Sequence, residues 1–159
     1  MIRLKQILVA TDFSEPSDAA LNYGRELAHT FGAHLHILHV VDNLMATMVG
    51  PEGYVGYLME IQRDVEEAAR KQLEALINPE DRRDLDAKPV LLTSSTPAFA
   101  IVNHAKEAGT DLVVMGTHGR GGFGHLLVMG QAGFLDHRET TRGIDLLAKE
   151  VYPRLKELK

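Results

Sequence analysis

The stretch VVMGTHGRGGFGHLLVMGQ, Val113–Gln131, decides how the chain is to be read. An apolar run rich in branched residues stops abruptly at glycines, with a His and an Arg among them, and then an apolar run resumes. That order predicts a strand, a loop whose backbone can come close to something, and a further helix starting at HLLVMG. Gly119, Gly121 and Gly124 match G-x-G-x-x-G literally. The dinucleotide reading is nonetheless disfavoured. That fingerprint follows the first strand of its unit and is joined by an acid about 20 residues on, at the end of the next strand. Here it follows the fourth predicted strand, and Asp145 falls in a helical pattern. A P-loop is excluded, because no Gly-Lys-Ser/Thr follows the glycines.

Two readings of the loop remain. In the first it holds an anion. Glycines let backbone N–H groups reach phosphate oxygens without a Cβ in the way. A following helix N-terminus would add unpaired donors and a positive dipole end. Arg120 would add a charge-assisted contact and His118 another donor. In the second it is a plain connection and glycine only makes the turn. The loop alone does not choose between them.

Outward from this stretch, strands and helices alternate. LKQILVAT (4–11) reads as a buried strand. Ser14 then offers an N-cap, Pro16 suits a first turn, and Ala20, Gly24, Leu27 and Phe31 recur at helical spacing until Gly32. HLHILHVVD (34–42) is a second strand. NLMATMVGPEGYVGY has no clear period and reads as a loop. LMEIQRDVEEAARKQLEALI (58–77) is a helix whose apolar face is predicted as Ile61, Val65, Ala68 or Ala69, Leu73 and Leu76. NPEDRRD breaks it. KPVLLT is a third strand. TPAFAIVNHAKEAG is a helix with Thr96 as cap, Pro97 first and Gly109 as stop, and DLVVMG is the fourth strand.

This alternation predicts an α/β fold: a doubly wound, open, mostly parallel, Rossmann-like sheet with helices on both faces. In such a sheet the first and fourth strands can be neighbours where the connection direction reverses, and ligands bind in the crevice outside the carboxyl ends there. Thr11 and Asp12 end the first strand, so they would face Gly116–Gly124 across one crevice. Asp12 could then accept from a ribose or base. A turn-forming Asp that caps the first helix competes with that role.

ILVATDFSEPSDAAL, HLHILHVVD and DLVVMGTHGRGG together resemble the universal stress protein family. The resemblance covers about residues 1–130 in three segments of matching order and spacing. It implies strand order 3-2-1-4-5, a frequent homodimer and, in one subclass, bound ATP. That subclass has Gly, two residues, Gly, nine residues, then Gly-Ser or Gly-Thr. Gly116 and Gly119 match the first part; Gly130 comes one position late and precedes Gln131 rather than a hydroxyl residue. Carried over, Ala10, Thr11 and Asp12 would meet base and ribose, and Val41 the adenine. Met115, Gly116 and Gly119 would wrap ribose and phosphates, and Gly130 and Gln131 would take the γ-phosphate end. ATP is the implied ligand, with AMP and ADP as alternatives and Mg as a companion.

The family normally closes with a helix and a fifth strand of the type Cys/Lys-Pro-Val-Leu-Val-Val. This chain continues instead as QAGFLDHRETTRGIDLLAKEVYPRLKELK. Ile144, Leu147, Val151, Leu155 and Leu158 are spaced as on a helix, with Pro153 predicted to bend it. The expectation is a nucleotide-binding domain over 1–135 and an atypical helical tail of the same domain over 136–159. The sheet would have order 3-2-1-4 without the usual fifth strand, and the fourth strand would be left as an edge. A homo-oligomer, expected to be a dimer, would then form otherwise than through fifth-strand pairing.

Composition excludes several classes. With 159 residues, 45% hydrophobic and 25% charged, the chain suits one soluble domain. A formal net charge of −5 argues against nucleic acid or an anionic membrane as partner. Cysteine is absent, so disulfides, zinc–thiolate sites and Cys nucleophiles are excluded. The N-terminus has neither a spanning run nor a signal-peptide core, and a cytoplasmic location is expected. His29, His34, His36 and His39 cluster, but strand histidines satisfied by their neighbours are preferred to a zinc site, and no metal ligands are assigned. No nucleophile–base pair announces itself, so a binding module is preferred to an enzyme. Three functions stand: an ATP- or AMP-binding regulatory stress protein, a member that works through protein contacts without nucleotide, and a slow ATP hydrolase.

Overall fold

The computed structural model describes residues 3–47, 55–116 and 126–130. The elements in chain order are β1 (Gln6–Ala10), α1 (Glu15–Phe31), β2 (His34–Val41), a 3-10 turn (Leu44–Thr47), α2 (Val55–Leu76), α3 (Pro79–Leu85), β3 (Lys88–Thr93), α4 (Pro97–Glu107), β4 (Leu112–Gly116) and β5 (Leu126–Gly130). They form one sheet of order β3-β2-β1-β4-β5. The first four strands are parallel, as the alternation of elements requires. Ile7 stands opposite Leu35 on one side and Leu112 on the other. Asp111 fastens the start of this register: its Oδ2 accepts from the backbone N–H of Lys5 at 2.7 Å and of Gln6 at 3.0 Å.

The helices begin and end where their residues dictate. At the start of α1, the Ser17 hydroxyl accepts from the Ser14 N–H at 3.0 Å and donates to the Ser14 carbonyl at 2.8 Å. Gly32 closes the helix at φ 62°, the left-handed conformation glycine adopts without a Cβ penalty. Gly24 has a different reason. A Cβ there would lie 2.3 Å from Cγ2 of Val9, so its absence lets α1 settle directly on β1.

Helices α1, α2 and α3 pack on one face of the sheet. Ile7, Val9, Leu35, Ile37 and Val114 meet Leu21, Leu27, Leu73 and Leu85 there, all within a few per cent of full burial. An ion pair pins this layer. Asp81, 2% exposed, accepts from Arg25 Nε at 3.1 and 3.0 Å, while Arg25 also donates to the Leu76 carbonyl. Asp81 answers the α3 cap as well, with its N–H on the Asn78 side chain and its Oδ2 accepting from the Asn78 N–H. On the other face Leu8, Leu38 and Val113 form a small buried cluster under Ile101 and Ala105 of α4.

Three expectations are corrected. HLLVMG does not start a helix: Leu126–Gly130 is a strand that runs back antiparallel along β4, with Leu126 opposite Gly116 and Gly130 opposite Leu112. Five apolar residues are equally compatible with either element, and the pairing with β4 settles it. The four parallel strands keep the expected order 3-2-1-4, and the antiparallel β5 flanks β4, which is therefore not an edge. NPEDRRD does not merely break α2 but forms α3. The predicted face of α2 holds at Ala69 and Leu73, which are buried, and at Leu76, which packs on the core, but not at Val65, which is 41% exposed, while Gln62 is buried instead. The tail expected over 136–159 lies outside the described residues.

Candidate functional site

The site is built at the carboxyl ends of β1, β2 and β4, where the strand order reverses direction. There β1 has neighbours on both sides, β2 reached through α1 and β4 reached through α4. A crevice of about 430 Å³ opens at this point. Ala10, Thr11 and Asp12 come from the end of β1, Leu38, Val40 and Asp42 from β2 and just beyond it, and Met115 and Gly116 from β4. Pro97 and Ile101 of α4 complete an apolar wall.

The turn after β1 is held by its own hydroxyls. Thr11 is buried, and its Oγ1 accepts from the Phe13 N–H at 3.0 Å and lies 3.0 Å from Ser17 Oγ. Phe13 takes φ 62°, a left-handed backbone that is strained for a bulky residue. Its ring lies 4.3 Å, centroid to centroid, from that of His39. His39 Nδ1 in turn sits 2.8 Å from the Thr11 carbonyl, which fixes the ring proton on Nδ1 in the neutral tautomer. The strain is thus held in place from three directions beside the crevice.

Asp12 accepts on Oδ1 from the Ser14 N–H at 3.1 Å and from the Ser14 hydroxyl. Partial burial works to raise its pKa, but the hydrogen bonds from Ser14 and Ser17 outweigh it and hold the carboxyl below its ordinary value. Asp12 is therefore an anion at neutral pH. It serves both as the turn-forming residue at the entry of α1 and as a charged acceptor on the crevice wall.

The expected site residues divide into three sets. Ala10, Thr11, Asp12, Met115 and Gly116 are brought together at the crevice. Val41 is not among the lining residues; its place is taken by Val40, on the opposite face of the strand. Gly130 is carried by β5 to the end of β4 remote from the crevice, beside Leu112. His118, Gly119, Arg120 and Gln131 lie outside the described residues. Gly116 has a structural reason of its own: a Cβ there would come within 3.2 Å of Pro16 Cβ and 3.3 Å of its carbonyl group, so the glycine lets the first turn of α1 approach β4. Ser17, Leu38, His39, Val40, Asp42, Pro97 and Ile101 were missed in the sequence as site residues. Pro97 carried a signal, since a proline opening a helix after the third parallel strand must stand near the strands' carboxyl ends.

The histidine cluster is dispersed by strand geometry. His39 belongs to the β1 turn, His34 stands 3.6 Å from Asp86, and His36 faces His104 of α4 with ring centroids 5.9 Å apart. Among the described residues no group of three or more His, Asp or Glu side chains is placed to hold a metal ion. No helix among them is long and apolar enough to cross a membrane.

Comparison with known proteins places these features in context. The model of the universal stress protein family matches residues 3–133. The universal stress protein YxiE of Bacillus subtilis is 32% identical over 127 residues, spanning 77% of this chain and 85% of its own length. A solved structure from the universal stress protein family of Burkholderia pseudomallei is 32% identical, with a TM-score of 0.57 over 72% of this chain and 83% of that one. The universal stress protein UspA of Lactobacillus plantarum, 23% identical, shares the fold at a TM-score of 0.57 over 75% and 81% of the two chains.

Proposed function

The chain belongs to the universal stress protein family, and from that premise we propose that it is a regulatory stress-response protein that binds an adenine nucleotide in the crevice between β1 and β4. The observation that carries this reading is an ionised Asp12 facing an apolar wall across about 430 Å³ at the sheet's switch point. That volume falls within the range of small-molecule sites. The apolar wall of Val40, Pro97, Ile101 and Met115 suits a purine face, and a carboxylate fixed by Ser14 suits a ribose hydroxyl. His118, Gly119 and Arg120 enter on their sequence alone, as donors for phosphate, with ATP, ADP or AMP as ligand and Mg as a companion. A cytoplasmic homo-oligomer is part of the same reading. Among the described residues no nucleophile–base pair supports the hydrolase alternative, and a nucleotide-free member acting through protein contacts is the rival the test addresses.

Nucleotide analysis of the freshly purified, denatured protein is expected to release an adenine nucleotide, and titration calorimetry of the stripped protein to restore binding. A charge-assisted hydrogen bond contributes about 1.5–3 kcal/mol, so Asp12→Ala is expected to weaken binding at least about tenfold. Asp12→Asn, which keeps an acceptor for the α1 turn, separates loss of the ligand contact from loss of the turn. Unchanged affinity in both variants removes Asp12 from the site, and absence of any nucleotide binding removes the reading.

A further inference from the structure

Resting on that reading for its ligand, we propose that α4 is a proton-sensitive wall of the crevice: protonation of the facing imidazoles of His36 and His104 loosens α4 from the sheet and weakens ligand binding. One helix has two duties. Its first turns give Pro97 and Ile101 to the crevice. Three residues beyond Ile101, on the same side of the helix, the ring of His104 meets that of His36 of β2, centroid to centroid at 5.9 Å. Three residues of helix rise about 4.5 Å, so the imidazole pair and the crevice wall share one rigid element. On the sheet, His36 stands between Leu8 of β1 and Lys88 of β3. It lies on the same strand face as Leu38, which lines the crevice.

The seam under α4 is polar and lightly fastened. Helix α4 has no fully buried residue. His36 Nδ1 and His104 Nε2 are buried without a hydrogen-bond partner among the described residues, as are Gln6 Nε2 and Thr110 Oγ1. Backbone bonds from Thr110 to Ala105 and from Asp111 to Gln6 bring Gln6 and Thr110 to the foot of the same helix. A proton on His36 meets His104 of α4, Lys88 of β3 and His34 of β2 as like charges, with Asp86 acting the other way. Asp86 is exposed and already stands 2.9 Å from Lys88 Nζ and 3.6 Å from His34. Leu8, the neighbour on β1, carries no charge. Lys106 and Glu107 of α4 are exposed, and the Asp111 carboxylate before β4 accepts from the N–H groups of Lys5 and Gln6. Two protonated imidazoles would thus face each other under the helix with little to offset them. Burial already holds the His36 pKa below its ordinary value, with His104 the next cause. Release of α4 lets both rings reach water, so the released state binds protons more tightly. The docked wall is therefore fully present above the imidazole range and is lost as pH falls through it.

The experiment compares the full-length chain with His104→Gln and with the double variant His36→Gln/His104→Gln, at about pH 7.5 and about pH 5.5, on either side of the imidazole range. Hydrogen exchange, corrected for its intrinsic pH dependence, reads α4 against α1, and calorimetry reads the affinity for AMP. Comparison between the proteins cancels the titration of the AMP phosphate and of His39, which also lines the crevice. In the unmodified chain, protection of residues 101–107 is expected to fall about tenfold between the two pH values, the effect of one unit of difference in proton affinity, while that of α1 holds. AMP affinity is expected to fall about twofold more than in the double variant, as the docked fraction drops. The double variant is expected to keep its α4 protection, and His104→Gln to lie between the two. Equal loss of α4 protection in all three proteins, or no loss in the unmodified chain, overturns the inference. So does an AMP affinity that falls alike in all three. Absence of AMP binding at the higher pH overturns the nucleotide reading instead, and the exchange measurement still decides whether the pair releases α4.

Discussion

The two faces of the sheet are built to different standards. Among the described residues, the face under α1, α2 and α3 buries fifteen apolar side chains in one cluster, whereas the cluster under α4 holds three. Helix α4 itself contributes no buried residue. A fully buried Leu, Ile or Phe contributes about 1.5–3 kcal/mol relative to leaving it exposed, so the stability of this domain resides chiefly on the first face. The candidate site draws its apolar wall from the second, through Pro97 and Ile101. The lesson is a division of labour: a rigid layer fixes the strand ends, and a lightly held helix forms the side of the crevice that a ligand must meet.

The largest test of this contrast is Leu73→Ala in α2. Leu73 is fully buried in the main cluster, and its truncation is expected to cost about 2–5 kcal/mol in equilibrium denaturation. The matching change on the other face, Ile101→Ala, removes a half-buried side chain and is expected to cost less than about 1.5 kcal/mol while lowering ligand affinity. Equal losses in the two variants would erase the distinction between the faces.

The smallest effect concerns His36, beneath α4. Burial pushes its pKa below the usual imidazole range, helped by His104 of α4, by Lys88 of β3 and by His34, with Asp86 acting the other way. His36 Nδ1 and His104 Nε2 are buried without a hydrogen-bond partner. Since the folded pKa lies below the unfolded value, the unfolded chain takes up a proton more readily. Stability is therefore unaffected well above about pH 6.5 and falls as pH drops through that value. Unfolding midpoints measured from pH 8 to 5 are expected to drift down below about pH 6.5, and His36→Gln to flatten the drift. A drift of the same size in that variant would assign it to other groups.

Much of the first face was legible in the sequence, because its signals are local. Ser14, Pro16 and Gly32 bracket α1, and the apolar runs of β1 to β4 stand between polar turns. The missed elements depended on partners far along the chain. LLVMG gains its strand identity only from β4, and α3 gains its place from Arg25, 56 residues before Asp81. A capping box at Asn78 and Asp81 was nonetheless there to be read. At the site, Thr11, Asp12 and Gly116 followed from topology, since strand ends at a switch point are fixed by order alone. Whether Val40 or Val41 lines the crevice depends on strand parity, and a single residue of offset exchanges the two faces.

Pro89 of β3 has a consequence for how copies of this protein meet. Strand β3 pairs with β2 on one side and is an edge of the described sheet on the other. The Ser94 N–H donates to the Val41 carbonyl, so residues an even number of positions before it turn their N–H groups inward, and Pro89 belongs to the outward set. Its missing donor costs the β2 ladder nothing and interrupts the row that a strand from another molecule would need. The ring thus works as a guard against fibrous self-association at a cost of no native hydrogen bond.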